Sequence, residues 1–390
     1  MSVNVVHIIT KLELGGAQQN TLFTLAHLDR DIFRPYLISN HEGILVKEAL
    51  DLKGVKVFLI PELVRDIHPC MDARAFFKIK KVLKEIKKEN HDPVIVHTHS
   101  SKAGIIGRWA AKCVSVDAII HSIHGFGFND YQPFPIMKCF IFLEKVTARI
   151  TDKFIAVSRA NIKKGLELGI VPPHKAILIR SGIEIENFKK VGIRAEVKKR
   201  EIGIDPSLPL ITMIGCLKPQ KAPLDYVEVA HRVLHEREAT FILVGDGVLR
   251  ERVEKKVERL KLGERFKLLG WRMDIPQILA ATDIFVLTSL WEGLPRVLPQ
   301  AMSMGLPIVA TRVDGTPEAV VHGVNGFLVD PKNTEGAAER VLYLLDHPNE
   351  AKKLGKRGRE MVDEFDIGRM VAEQEQLYQS LLMEKGRGPE

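Results

Sequence analysis

Residues 287–311, LTSLWEGLPRVLPQAMSMGLPIVAT, contain one repeat of a parallel α/β fold. The stretch begins at the end of an apolar run, 284–287, turns at Gly293, continues as a helix-length segment and ends in a second apolar run, 308–310. Neighbouring parallel strands need a helical crossover, and buried ones are continuously apolar. The pattern therefore predicts a β-α-β unit in which Glu292 lies just past a strand end and Gln300 lies on the following helix.

The same alternation continues outward in two series of predicted strands. The first lies at 3–9, 36–39, 55–60, 94–97, 118–121 and 154–157, and the second at 210–214, 240–244, 266–269, 284–287 and 308–310. Strand patterns lapse from about 184 to 209, where a short helix is expected. We predict an α/β protein of two Rossmann-like domains facing a central cleft, residues 1–185 and 186–365. The final helical segment, 366–390, is a candidate to pack back on the first domain.

Composition excludes several classes of protein. The 390 residues are 45% hydrophobic and 27% charged, which is typical of a soluble globular protein. No apolar run approaches the roughly 20 residues of a membrane span. The N-terminus lacks the features of a signal peptide, so we expect a cytoplasmic protein. The cysteines have no metal-ligand spacing and are interpreted as reduced structural residues: Cys70, Cys113, Cys139 and Cys216.

The net positive charge of the chain comes from its first half. Residues 1–190 contain 28 Lys+Arg against 19 Asp+Glu, whereas residues 191–390 contain 29 against 30. A basic region of this size can bind nucleic acid, an anionic membrane surface or a phosphorylated substrate. Nucleic acid is disfavoured, because there is no groove-reading motif and no set of stacking aromatics on an exposed strand.

Two glycine-containing loops are candidate phosphate sites. Gly15-Gly16 follows the first strand and opens a helix, where backbone amides attract anions, although a simple tight turn is an equal alternative. It matches neither the dinucleotide fingerprint nor the P-loop, so a nicotinamide cofactor is not expected. In the second domain, Lys218 and Lys221 follow the first strand and are placed to neutralise a diphosphate, unless they are merely solvated.

Four histidines follow two neighbouring strands of the first domain. A zinc site is disfavoured because His97 and His99 are two residues apart with no carboxylate or cysteine ligand nearby. His97 and His121 are interpreted as structural residues. His124, followed by Gly-Phe-Gly, is the best candidate to face a substrate hydroxyl.

The chain as a whole resembles the family 4 glycosyltransferases, which have the GT-B fold, retain the configuration of the transferred sugar and use nucleotide sugars. No single motif is specific to this family, but the motifs together and in this order are. In the first domain the matching motifs are GGA at 15–17, HTHSSKAG at 97–104, HGF at 124–126 and AVS at 156–158. In the second they are GWR at 270–272, EGLP at 292–295, AMSMGLPIVA at 301–310, DGTPE at 314–318 and NGF at 325–327.

The resemblance implies a role for each matching residue. Glu292 would lie beside the donor sugar, Lys221 would bind the donor diphosphate, Gly16 would line the donor cleft and His124 would contact the sugar. Other donor-binding residues implied are Lys218, Gly293, Leu294 and Gln300. A departing nucleoside diphosphate needs positive charge and amide donors, so no metal and no cofactor are expected, and the nucleotide sugar is a substrate. Asp29-Arg30-Asp31 falls away from the expected cleft and is a poor divalent-ion site.

Two positions depart from the family pattern. Gln300 replaces the second glutamate of the E-x7-E region, so the ribose would meet an uncharged amide. Cys216 stands where relatives commonly carry an arginine. One positive charge that would stabilise the leaving group is therefore missing from the protein. Lys218 or Arg296 is the expected replacement.

Two segments are candidates to contact the acceptor or the membrane that holds it. Residues 76–88 form a basic amphipathic helix whose six lysines are either a solvated face or a contact with anionic lipid headgroups. Residues 126–140 carry clustered aromatics that either gate the acceptor site or cover the core. Together they favour a lipid-linked acceptor in surface polysaccharide synthesis and a peripheral position on the inner membrane face.

The sequence thus predicts a retaining transferase that moves a hexose or N-acetylhexosamine from a UDP or GDP sugar to a hydroxyl. A soluble acceptor is the first alternative. A GT-B-like nucleotide-sugar epimerase is the second, although those enzymes lack the EGLP block. A non-catalytic nucleotide-binding module is the third, because Gln300 and Cys216 depart from the pattern.

Overall fold

The computed structural model describes residues 2–128 and 131–387 and divides into two compact units. The first comprises the chain up to Gly182 together with the chain from Ile367 onward, and the second is Ile183–Asp366. The sequence had suggested divisions after residues 185 and 365. Of the expected final segment, 366–390, residues 388–390 lie outside the described part.

The first unit is built on a parallel sheet of seven described strands in the order β3-β2-β1-β4-β5-β6-β7. The strands are β1 (Val3–Ile8), β2 (Phe33–Ser39), β3 (Lys56–Leu59), β4 (Val94–His99), β5 (Ala118–Ile123), β6 (Lys153–Ala156) and β7 (Ala176–Leu178). The helices between them are α1 (Gly16–His27), α2 (Val46–Leu50), α3 (Pro69–Asn90), α4 (Ser101–Val114), α5 (Phe134–Ala148) and α6 (Arg159–Glu167).

The second unit has a parallel sheet of six described strands in the order β10-β9-β8-β11-β12-β13. The strands are β8 (Leu210–Ile214), β9 (Thr240–Val244), β10 (Phe266–Gly270), β11 (Ile284–Leu287), β12 (Ile308–Thr311) and β13 (Gly326–Val329). The helices are α7 (Ile185–Lys189), α8 (Ala195–Glu201), α9 (Pro223–Glu236), α10 (Arg250–Arg259), α11 (Ile275–Ala280), α12 (Val297–Ser303), α13 (Thr316–Ala319), α14 (Thr334–Asp346) and α15 (Pro348–Glu360).

The last helix, α16 (Ile367–Glu384), packs on the sheet of the first unit. Its residues Leu377, Leu381 and Leu382 are buried in one cluster with Val5 of β1 and Ile95 of β4. Burying each such side chain stabilises the fold by about 1.5–3 kcal/mol. The helix is therefore an integral part of the first unit.

The eleven predicted strands are all present, and the structure adds β7 and β13. Both additions are edge strands, and β7 has only three residues, each of them half-buried. β13 is buried throughout, but it has only four residues and begins at a glycine. Neither strand therefore has an apolar run as long as those that identify the central strands. Among the described residues, no helix is long and apolar enough to cross a membrane.

Candidate active site

The loops that follow β8, β9 and β11 meet at the carboxyl ends of the strands of the second sheet. Open parallel sheets bind their ligands there. The close approach of the first two loops depends on Gly245. Its φ is +130°, and a Cβ at this position would lie 2.1 Å from the Gly215 carbonyl oxygen. Leu217 then donates its backbone N–H to the Asp246 carbonyl at 2.9 Å. This packing fixes the loop that carries Lys218 and Lys221.

Glu292 and Lys221 form an ion pair at this edge of the sheet. Lys221 Nζ donates to Glu292 Oε1, and Ser289 Oγ donates to the same oxygen at 2.6 Å. The Glu292 side chain is 6% exposed and that of Lys221 is 16% exposed. Gln220 Nε2 also donates to Glu292 Oε2 at 3.5 Å. The carboxylate is thus held by one cation, one hydroxyl and one amide in a largely dry environment, which strengthens its electrostatic interactions.

Backbone contacts hold the segment 289–293 in place. The Glu292 N–H donates to Asp314 Oδ2 at 2.6 Å, and the Gly315 N–H donates to the Gly293 carbonyl at 3.1 Å. Gln220 contributes from the other side, accepting the Leu290 N–H at its carbonyl and donating Nε2 to the Trp291 carbonyl. We call residues 215–221 and 289–293 the donor loops. Their mutual bonds orient the Glu292 carboxylate before any ligand binds.

The remaining donor-binding residues implied by the sequence fall on or beside these loops. Lys218 is half-buried, directly before the 3-10 turn Pro219–Lys221 that carries Lys221. Gly293 and Leu294 are buried, while Gln300 is half-buried on α12. Burial lowers the pKa of the Arg296 guanidinium to about 10, which leaves it protonated at pH 7. Arg296 therefore remains a cation, as a replacement for the missing arginine requires.

In the first unit, Gly16 begins α1 and is exposed, with Gly15 extended as its N-cap. The Gln18 side chain lies over Gly15 and donates Nε2 to the Lys11 carbonyl at 3.2 Å. A Cβ on Gly15 would lie 2.7 Å from Gln18 Oε1, so this loop is tightly closed. Asp29 and Asp31 lie apart from it, in the exposed connection between α1 and β2.

Four histidines and two hydroxyl groups of the first unit form one continuous line of hydrogen bonds, which does not include His121. We call it the histidine chain; in order its members are Ser122, His97, Tyr378, His7, His99 and His124. Burial lowers the pKa of His7 to about 3 and holds those of His97 and His99 well below the usual value. These three rings are therefore neutral at pH 7.

His97 and His121 have the buried, hydrogen-bonded environments expected of structural residues. His97 contacts Tyr378 and Ser122, and His121 Nδ1 lies 2.9 Å from Thr98 Oγ1. His124 is half-buried, and its Nε2 lies 3.0 Å from His99 Nδ1.

Sequence reasoning did not single out His7 or Tyr378. His7 pairs with His97 in the register of β1 and β4, a relation that only the strand pairing reveals. Tyr378 lies 281 residues from His97 in the chain. The spacing of His97 and His99 in β4 indicates that these two side chains share a face of the sheet, but it does not reveal that His7 joins them.

Ring nitrogens of His7, His97 and His99 lie within 4.8 Å of one another, a spacing that could hold a metal ion. Neutral imidazoles are competent metal ligands. However, both nitrogens of each ring already have a hydrogen-bond partner in the histidine chain. The arrangement is therefore complete as a hydrogen-bonded network.

Two family patterns cover most of the chain. "Glycosyltransferase Family 4" matches residues 14–187, and "Glycosyl transferases group 1" matches residues 195–361. The UDP-Gal:alpha-D-GlcNAc-diphosphoundecaprenol alpha-1,3-galactosyltransferase of Escherichia coli is 31% identical over 388 residues, 98% of each chain. The N-acetyl-alpha-D-glucosaminyl L-malate synthase of Bacillus anthracis is 28% identical over 315 residues, 79% of this chain and 80% of the other.

The fold has solved counterparts. HepE of Anabaena, in complex with UDP-glucose, superposes with a TM-score of 0.82 at 20% identity, over 97% of this chain and 99% of the other. The two parallel α/β units and these similarities define a glycosyltransferase with the GT-B fold. Within that class, the chain belongs to glycosyltransferase family 4. The sequence predictions of this fold, this family and this class of enzyme are confirmed.

Proposed function

We propose that the protein is a retaining glycosyltransferase that moves a hexose or N-acetylhexosamine from a UDP or GDP sugar to a hydroxyl of a lipid-linked glycan. The donor is bound by the second unit and the acceptor by the first. No metal ion or cofactor takes part. The enzyme works peripherally on the cytoplasmic membrane face, in the synthesis of a surface polysaccharide.

The ion pair between Lys221 and Glu292 carries the proposal. Lys221 is a half-buried cation in a loop at a strand end, where a diphosphate is expected in this type of sheet. When the diphosphate binds, Lys221 can turn its charge to the phosphate oxygens, and Glu292 remains held by Ser289 beside the transferred sugar. Negative charge grows on the departing diphosphate, so a preplaced cation stabilises the transition state more than the ground state.

Lys218 and Arg296 supply the further positive charge that would otherwise fall to a metal ion. Lys218 belongs to a donor loop, and Arg296 lies three residues beyond the other one and is protonated at pH 7. Gly16, at the exposed start of α1, offers backbone amides on the side of the first unit. His124 contacts a sugar hydroxyl. Gln300 binds the ribose through its amide, with no charge.

A lipid-linked acceptor is supported by the Escherichia coli relative, whose name specifies a diphosphoundecaprenol substrate. It is also supported by exposed apolar side chains on α5. Phe134 and Phe142 are each 65% exposed, and Ile136 is 46% exposed. Lys138 lies on the same helix, with its ammonium 5.1 Å from the Phe134 ring centroid. Aromatics beside lysines suit the interface of an anionic membrane.

The lysine-rich helix α3 is a weaker candidate for the membrane contact. Its apolar side is buried as expected, with Ile79, Leu83 and Ile86 at no more than 1% exposure. However, Lys78 pairs with Glu62, and Lys87 donates to the Ser115 carbonyl. The aromatic segment 126–140, of which Asn129 and Asp130 lie outside the described residues, provides the larger apolar surface.

A soluble acceptor is the second candidate. It is favoured by the Bacillus anthracis relative, whose name specifies L-malate, a small soluble molecule. In that case the exposed face of α5 would have no part in catalysis, and polar substitutions at Phe134 and Phe142 would leave the rate unchanged.

The test is release of nucleoside diphosphate from a panel of UDP and GDP sugars, with and without lipid-linked acceptor and with EDTA. We expect release from one donor, a rise with the lipid acceptor, and no effect of EDTA. Glu292→Gln should reduce the rate about 10²–10³-fold, while Glu167→Gln, at an exposed glutamate that pairs with Lys163, should not.

Other outcomes would overturn parts of the proposal. Full activity with a small soluble acceptor alone would select the second candidate. Isomerisation of the donor without any acceptor would indicate an epimerase. Loss of activity in EDTA would contradict the metal-free mechanism, and inversion at the anomeric carbon of the product would contradict retention.

A further inference from the structure

The loop between β12 and α13 contacts the segment 289–293 and bonds Glu292 itself. The Glu292 N–H donates to Asp314 Oδ2 at 2.6 Å, and the Gly315 N–H donates to the Gly293 carbonyl at 3.1 Å. A carboxylate accepts the first of these bonds, and such bonds are shorter and roughly twice as strong as bonds between neutral groups. One side chain of this loop is therefore joined to the backbone of the glutamate in the ion pair.

Asp314 adopts a backbone conformation that favours glycine. Its φ is +38°, and residues with a side chain avoid this left-handed region because their Cβ crowds the following carbonyl oxygen. Glycine would adopt the same φ without that cost, but it has no carboxylate. Strained residues persist where the surrounding structure holds them, and they cluster at functional sites. At Asp314 the strained backbone accompanies the bond to Glu292.

The segment that Asp314 holds has backbone donors available for a ligand. Within the described part of the chain, nothing accepts a hydrogen bond from the backbone N–H of Gly293 or of Leu294, although both residues are buried. Buried N–H groups without a partner are rare in folded proteins, and each requires an explanation. In the proposed function, oxygen atoms of the donor supply the missing acceptors. Both groups follow Glu292 directly in the chain, so a movement of Glu292 displaces them as well.

We propose that Asp314 is a positioning residue of the glycosyltransferase, whose carboxylate holds the Glu292 backbone so that the Glu292 side chain lies correctly beside the transferred sugar. This inference rests on the proposed function, in which Glu292 lies beside that sugar. Asp314 acts through the backbone of Glu292 rather than on the substrate. Correct placement of groups near the reacting atoms lowers the barrier of the chemical step, and a misplacement of about 1 Å can cost about 10²-fold in rate.

Three substitutions separate this role from a contribution to stability. Asp314→Asn keeps an oxygen that can accept the Glu292 N–H, and asparagine tolerates a positive φ. Asp314→Gly removes both the acceptor and the backbone strain, whereas Asp314→Ala removes the acceptor and keeps the strain. If Asp314 positions Glu292, the glycine and alanine variants lose the same activity, although the glycine variant has the higher melting temperature.

The kinetic measurement follows nucleoside diphosphate released by the full chain from the panel of UDP and GDP sugars. We expect Asp314→Gly and Asp314→Ala each to lower kcat/KM about 10–10²-fold, and Asp314→Asn to remain within about threefold of the wild type. The matched control is Asp205→Gly, since Asp205 Oδ1 also accepts a backbone N–H, that of Ser207 at 2.9 Å, in the loop before β8. This control should leave kcat/KM unchanged.

Nuclear magnetic resonance measures the backbone bond itself, in full-length protein labelled with ¹⁵N-glutamate at pH 7.5. Glu292→Gln assigns the backbone amide signal of Glu292. A short hydrogen bond to a carboxylate deshields the amide proton. We therefore expect this proton downfield in the wild type and in Asp314→Asn, and shifted upfield in Asp314→Gly and Asp314→Ala. Asp205→Gly should leave the signal in place.

Three results would overturn the inference. The first is a wild-type kcat/KM in Asp314→Gly, and the second is a loss in Asp314→Asn as large as that in Asp314→Ala. The third is a Glu292 amide signal that is the same in the wild type and in Asp314→Gly. A wild type that releases no nucleoside diphosphate, but whose Glu292 amide responds to the variants as expected, would instead contradict the proposed function alone.

Discussion

The donor loops of the second unit and the histidine chain of the first unit differ in the charge of their side chains. The donor loops keep a full positive and a full negative charge in contact, Lys221 with Glu292, at the end of a sheet. The histidine chain keeps three titratable rings uncharged by burying them. The first arrangement pairs two opposite charges, whereas the second avoids charge altogether.

The sharpest test of this contrast is a double-mutant cycle on the ion pair. Lys221→Gln should reduce turnover about 10²-fold or more, because the diphosphate loses its cation. The same change leaves the Glu292 carboxylate buried without a cation, which destabilises the protein. Adding Glu292→Gln should restore part of the free energy of unfolding but none of the activity, with a coupling of about 0.5–3 kcal/mol. Thermal melts and rates measure both effects.

Equal stability of Lys221→Gln and the double variant would show that the two charges are independent. Lys163→Gln is the matched control, since Lys163 forms an exposed pair with Glu167 at i,i+4.

Acid should affect the two units differently. The folded-state pKa of His7 is about 3, below the ordinary value of 6.5, and those of His97, His99 and His121 are lowered as well. The unfolded chain therefore binds more protons below pH 6.5. Stability from these rings is fully present above that pH and is lost as the pH falls toward 3. The loss is about 1.4 kcal/mol per pH unit for each ring.

Hydrogen exchange at pH 7.5 and pH 5 measures this loss separately in each unit. We expect amides of β1, β4 and β5 to lose protection before those of β8, β9 and β11. Simultaneous loss in both sheets would contradict the comparison.

Lys218→Ala should have the smallest effect. Lys218 is half-buried beside the ion pair, and we expect about a tenfold loss of turnover with little change in stability. Lys47→Ala is a distant control on α2. A rate equal to that of the control would leave Arg296 as the replacement for the missing arginine.

The contrast also explains what the sequence could predict. The donor loops were predictable because glycines and charged residues directly after apolar runs identify strand ends, as at Glu292 and Lys221. The histidine chain was only partly predictable. Its members lie on three separate strands and on α16, and their association depends on strand register and on helix packing that local patterns do not contain. The strands β7 and β13 were missed because both are short: β7 has three half-buried residues, and β13 has four residues and begins at a glycine.

The return of α16 to the first unit has a consequence for biosynthesis. Tyr378 is a hydrogen-bond partner of His7 and His97, yet residues 183–366 separate it from the rest of that unit. At about 5–20 residues per second, a ribosome takes roughly 10 to 40 s to translate this stretch. During that interval the nascent chain has its first sheet but not the helix that covers it. The second unit can therefore complete its fold before the first unit receives its last helix.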